Sequence, residues 1–237
     1  MKALKIIAVA IVVVVVIIIL VGGYFGLVPG VRAIFGSDKP RDLGVVASAA
    51  SFRTASDKLG LTREDANAAS SGSVSYQGSH QVNVSLTNEE LSSLFQQGTW
   101  KRTWKLSPIA DGFQIKTNQN GTVEVAGMLD LSKLNGYLGA TGFNDIKSYT
   151  SKFGVLPNEI PFYVDGSGSV TGNKVSLNVT EADLGRIPLP TDSASLQAVE
   201  SFVERRISGI PGLNIASLDF ADGKANLKGT IPSVVSF

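Results

Sequence analysis

Three hydrophobic rhythms follow one another along the chain. From Ile6 to Val28 the side chains are apolar or glycine, apart from the Tyr24 phenol, and none is charged. At about 1.5 Å per helical residue this run reaches about 34 Å, enough for a hydrocarbon core of about 30 Å. It predicts a transmembrane helix, because backbone groups in lipid must satisfy one another within the segment. A second stretch, Leu43 to Leu61, is rich in Ala and Ser with scattered apolar residues and predicts one or two helical turns. Thr62 followed by Arg63-Glu64-Asp65 reads as an N-cap with acids in the first turn, opening a short helix to about Ala69.

From Ser73 the period becomes two. Val74 and Tyr76, then Val82, Val84 and Leu86, alternate with polar residues around a turn at Gly78, as half-buried strands do. Thr87 stands three residues before Glu90 in a capping-box spacing, so a helix starts there and ends at Gly98. Three hairpins follow, each with a glycine in its turn: Ile109–Thr117 with Thr122–Leu131, Ile160–Thr171 with Lys174–Leu184, and Leu213–Phe220 with Lys224–Ile231. Helical spacing returns at 132–138, at 144–153 and most clearly at Ser193–Ile210, where Leu196, Val199, Val203, Ile207 and Ile210 form one stripe.

Hairpins with interleaved helices predict an α+β fold. The expected architecture is an N-terminal transmembrane helix plus one domain of antiparallel β-hairpins curled around amphipathic helices. The anchor takes 1–28, a Gly/Pro-rich juxtamembrane linker 29–42, and the domain 43–237. A cleaved secretory signal is the alternative for the first segment. Its apolar core usually runs about 7–15 residues and ends in a small-x-small site, whereas Gly22-Gly23-Tyr24-Phe25 contains no Ala-x-Ala. Basic residues flank the run on both sides (Lys2 and Lys5; Arg32, Lys39 and Arg41), so counting them leaves the orientation open. A long domain behind a first apolar span is usually exported, which places the domain outside the cytosol at the cell membrane.

Composition narrows the chemistry. With 21 Lys and Arg against 20 Asp and Glu and no basic tract, nucleic acid is not an expected partner. There is no cysteine, which excludes disulfides and thiolate-bound metal, and the single histidine is His80, in a turn region. No cofactor, metal site or catalytic set is expected. Glu181 and Asp183 share a strand face and offer a carboxylate pair for a cation or for sugar hydrolysis, but solvated charges near a turn explain them as well. Asp165-Gly166-Ser167-Gly168-Ser169 lacks the lysine and spacing of a phosphate loop. Trp100-Lys101-Arg102-Thr103-Trp104-Lys105 fits either a strand with one buried face or a contact with anionic headgroups.

Leu86-Thr87 with Leu91, the hairpin Gly121–Leu131, and Leu184-Gly185 with Leu189-Pro190 ahead of a helix together resemble uncharacterised single-pass bacterial envelope proteins of the YpmS type. The resemblance covers about half of the part after the anchor and rests on short structural motifs. That family is similar to tubular lipid-binding domains, in which a rolled sheet holds a helix and an acyl-chain groove. The resemblance therefore implies a membrane-anchored binding domain for lipid or another apolar envelope molecule. Its expected apolar contacts are Tyr137, Leu138, Phe143, Ile146, Tyr149, Phe202 and Val203. The same residues also serve as plain core. The alternative function is a scaffold of the cell envelope that binds partner proteins, with the lipid bilayer as a partner through residues 6–28 in either case.

Overall fold

The computed structural model describes residues 13–21, 24, 31–64, 75–97, 110–131 and 158–236. Residues 13–21 are helical (α1), and each of these nine apolar side chains is between 41% and 63% exposed. A four-residue turn of helix, α2 (Val31–Ile34), lies within the linker. Helix α3 (Ala49–Leu59) starts where Ser48 Oγ accepts from Ser51 N at 3.0 Å and stops at Gly60, whose φ of 60° suits the left-handed cap. Strands β1 (Thr62–Glu64), β2 (Ser75–Gln77) and β3 (His80–Leu86) lead into α4 (Asn88–Gln97). Thr87 and Glu90 cap α4 reciprocally, Thr87 N donating to Glu90 Oε2 and Glu90 N to Thr87 Oγ1.

The hairpins are β4 (Ala110–Thr117) with β5 (Val123–Asp130), β6 (Glu159–Thr171) with β7 (Lys174–Leu184), and β9 (Asn214–Ala221) with β10 (Lys224–Ile231). Short β8 (Ile187–Pro188) pairs with the end of β7; α5 (Ser193–Ser208) follows, and β11 (Val234–Ser236) closes the described chain. The turns at Gly172-Asn173 and Asp222-Gly223 place both residues at positive φ, which matches the twist of the strands they join.

The main sheet runs β3-β10-β9-β6-β5-β4, with β7 on the other side of β6, and a small sheet runs β1-β11-β2. Strand β6 pairs with β5 as far as Gly166 and with β9 from Val170, so the sheet bends between them. Register shifts fall at Asp165/Gly166 and at Lys228/Gly229. A side chain at Gly166 would run into Asn178 O and one at Gly229 into Asn214 O, so only glycine fits these bulges. The two ends of the strand order are bridged by helices: α4 packs on β4, α3 on β3, and α3 on α4. Sheet and helix pair thus close a ring, and its interior is the core.

Two expectations are corrected. The α+β architecture with a transmembrane helix does not hold: the protein is mostly β-sheet, and among the described residues no helix is long and apolar enough to cross a membrane. The hairpins supply this balance, since each of their six strands has at least 8 residues and β6 has 13. Second, Thr62 does not cap a helix. Thr62–Glu64 pairs in parallel with Val234–Ser236, and that distant partner overrides the local N-cap signal. Helix α5 lies along β7, with Ile207 packed against Val170 of β6 and Ile215 of β9, while α3 and α4 bridge the ends of the strand order. The expected helices at 132–138 and 144–153 lie outside the described residues.

Candidate apolar binding cavity

Because strand side chains alternate, one face of the curled sheet points into the ring. Ile115 on β4 stands opposite Val125 on β5, and Leu218 on β9 opposite Leu227 on β10. These four, with Leu94 and Phe95 of α4, line a cavity of about 350 Å³. Leu59 of α3 and Val170 of β6 extend it, and Val203 and Ile207 of α5 form a further wall. Among the lining residues only Tyr76 carries a polar side-chain atom. Such a surface offers no hydrogen-bonding partner to water or to a headgroup.

Two helices beside this cavity are fastened to the sheet by the same geometric device. A strand advances about 6.6–6.8 Å in two residues and a helix about 6 Å in four, so side chains four apart on a helix meet every second residue of a strand beside it. On α4 the series is Asn88, Ser92 and Gln96. Asn88 Oδ1 accepts from Thr117 N at 2.8 Å, Ser92 Oγ accepts from Ile115 N at 2.8 Å and donates to Ile115 O at 3.2 Å, and Gln96 donates to Phe113 O. The outer edge of β4 is thereby satisfied by side chains instead of another strand. Ser92 and Ser93 are fully buried, and Ser93 Oγ accepts from Ser48 N, which ties α3 to α4.

On α5 the series is Glu200 and Glu204, which accept from Leu177 N at 2.7 Å and Val175 N at 3.0 Å on β7. Glu204 also pairs with Lys174 at 2.9 Å. That ammonium and the Val175 N–H hold the Glu204 carboxyl below its usual value.

Of the residues expected to contact an apolar ligand, Val203 lines the cavity. Phe202 does not; it faces the Arg206 guanidinium, 5.3 Å from its ring centroid. Tyr137, Leu138, Phe143, Ile146 and Tyr149 lie outside the described residues, as does Trp100–Lys105. His80 is a structural link: Nε2 faces Leu59 O at 2.9 Å and Nδ1 faces Ser233 Oγ at 3.0 Å. The sequence reading missed the contributions of α3, α4 and β4. The available signal was the pairing of Asn88, Ser92 and Gln96 with the apolar Leu91, Leu94 and Phe95 on the next face of the same helix.

The carboxylates Glu181 and Asp183 do come together, and Arg41 of the linker occupies them at 2.8 and 3.7 Å. Burial, then the adjoining Glu181, pushes the Asp183 carboxyl up against the opposing pull of Arg41. The same guanidinium lies 3.4 Å over the Tyr163 ring. Burial and the hydrogen bond to Glu124 push the Tyr163 phenol up to about 12. This cluster borders a second, mixed-polarity cleft of about 490 Å³ that also contains Tyr24 and Arg186. It pins the linker to the sheet: Arg186 donates to Phe35 O and covers the Tyr24 ring, and Arg32 donates to Glu159 O.

No family model matches the chain, and neither a curated protein nor a solved structure matches it.

Proposed function

We propose that the domain binds one apolar molecule, of the calibre of a lipid acyl chain, inside the ring. We further propose that it does so outside the cytosol, at a membrane to which the apolar run at residues 6–28 attaches it. The observation that carries the reading is the 350 Å³ cavity with an almost purely hydrocarbon lining. That volume lies within the range of small-molecule sites, about 300–1,000 Å³. Water finds almost no polar partner on such a lining, and an apolar occupant would cover it instead. The membrane part of the reading is supported by α1, whose nine consecutive apolar residues are exposed on every side, a pattern suited to non-aqueous surroundings.

The test is a titration of the full chain with a fluorescent fatty acid. Saturable binding with one site per chain is expected. Ala225, 1% exposed and at the cavity wall, provides the control. Ala225→Phe places a ring in the cavity and should weaken binding at least about tenfold, with thermal unfolding still cooperative. Non-saturable partitioning, or binding unchanged by Ala225→Phe, would count against the reading.

A further inference from the structure

The hydrocarbon cavity is partly open to the surface, and its walls are not equally fastened. Side chains of α4 are buried at Glu90, Ser92, Ser93 and Leu94, and α3 buries Ala55 and Leu59. The apolar stripe of α5 buries only Ile207, while Val199 is 38% exposed. Polar links from α5 to β7 include the Glu200 and Glu204 carboxylates on two backbone N–H groups and the Glu204–Lys174 pair. Water can replace each of these at a partly exposed site. Both flanks suit a pivot: Pro188 and Pro190 precede the helix, and Gly209, Pro211 and Gly212 follow it, Gly212 at φ 78°. Lifting α5 would take Val203, Ile207 and Ile210 out of the lining and open the cavity along the β7 side.

We infer that α5 is the gate of the cavity and that Glu200 and Glu204 are its latch. The inference rests on the proposed apolar site but can be tested without a ligand. Because the chain has no cysteine, Ile207→Cys creates a single thiol on the inner face of α5. Its rate of modification by N-ethylmaleimide reads how often the helix lifts. Adding Glu200→Ala with Glu204→Ala should raise that rate about tenfold. Ile160→Cys, at a fully buried position that does not line the cavity, reports general loosening and should be unaffected by the latch substitutions. Val203→Cys serves as a second reporter if Ile207→Cys does not fold. Equal rates with and without the latch, or an equal rise at Ile160→Cys, would overturn the gate. Failure of the fatty-acid titration alone would instead remove the ligand and leave this result standing.

Discussion

Helices α4 and α5 lie along two strands and meet them by the same arithmetic, four helix residues to two strand residues, yet with opposite chemistry. Helix α4 uses a hydroxyl and two amides, groups that both donate and accept, so it answers the N–H and C=O groups of β4 together. The Ser92–Ile115 pair among them is buried, and the Asn88 and Gln96 bonds are partly so. Helix α5 uses carboxylates, which only accept, so it answers N–H groups alone and keeps its charge near solvent. The difference teaches that an amphipathic helix beside a sheet can be either a permanent wall or a movable one. The choice lies in the polar residues next to the apolar stripe, not in the stripe itself.

The largest contrast should appear in stability. Ser92→Ala leaves Ile115 N–H and C=O buried without their partner and should cost about 2–4 kcal/mol in urea unfolding. The paired Glu200→Ala and Glu204→Ala substitutions should shift the same midpoint far less, because water reaches the freed amides. Comparable losses from the two helices would erase the distinction between wall and gate.

A pH series separates the helices more finely. The Glu204 carboxyl is held below its usual value, so it binds protons more readily in the unfolded chain. Its contribution is complete above the unfolded value and is lost as pH falls from there through the lower folded one. Asp192, the cap of α5, titrates in the same direction because Ser195 N–H and Oγ–H both donate to its carboxylate. Hydrogen-exchange protection at Leu177 and Val175 should therefore fall across that window, after correction for the intrinsic rate. The Ile115 amide, bound to a hydroxyl, should keep its protection.

The smallest effect belongs to the linker cluster. Asp183 is pushed up, so its charged form is disfavoured in the fold and stability declines as pH rises through its titration. Asp183→Asn should slightly raise the melting temperature at neutral pH and leave it unchanged in acid, where the wild-type group is already protonated. A lower melting temperature at neutral pH would show that its attraction to Arg41 outweighs its burial.

The sequence made the local structure legible and left its closure unread. Alternation and glycine turns place the Gly172-Asn173 and Asp222-Gly223 hairpins to within a residue or so. The capping box at Thr87 and Glu90 identifies α4. These signals are short-range and depend on a few neighbours. Closure is long-range. Thr62 carries an N-cap signature until Val234, far along the chain, supplies a strand partner. Ser92 looks like an indifferent polar residue until β4 arrives beside it. The apolar stripe of α5 was legible as buried against something; that it fronts a cavity depends on how the sheet bends at Gly166 and Gly229. Of the expected ligand contacts within the described residues, Val203 is at the cavity because it shares the stripe with Ile207, while Phe202 projects from the neighbouring face.

The most direct measurement is native mass spectrometry of the gently purified full chain, followed by solvent extraction of whatever it carries. The account predicts one apolar molecule per chain, displaced by added fatty acid and absent from Ala225→Phe. Protein that emerges empty, remains as stable as before, and takes up no fatty acid would contradict it.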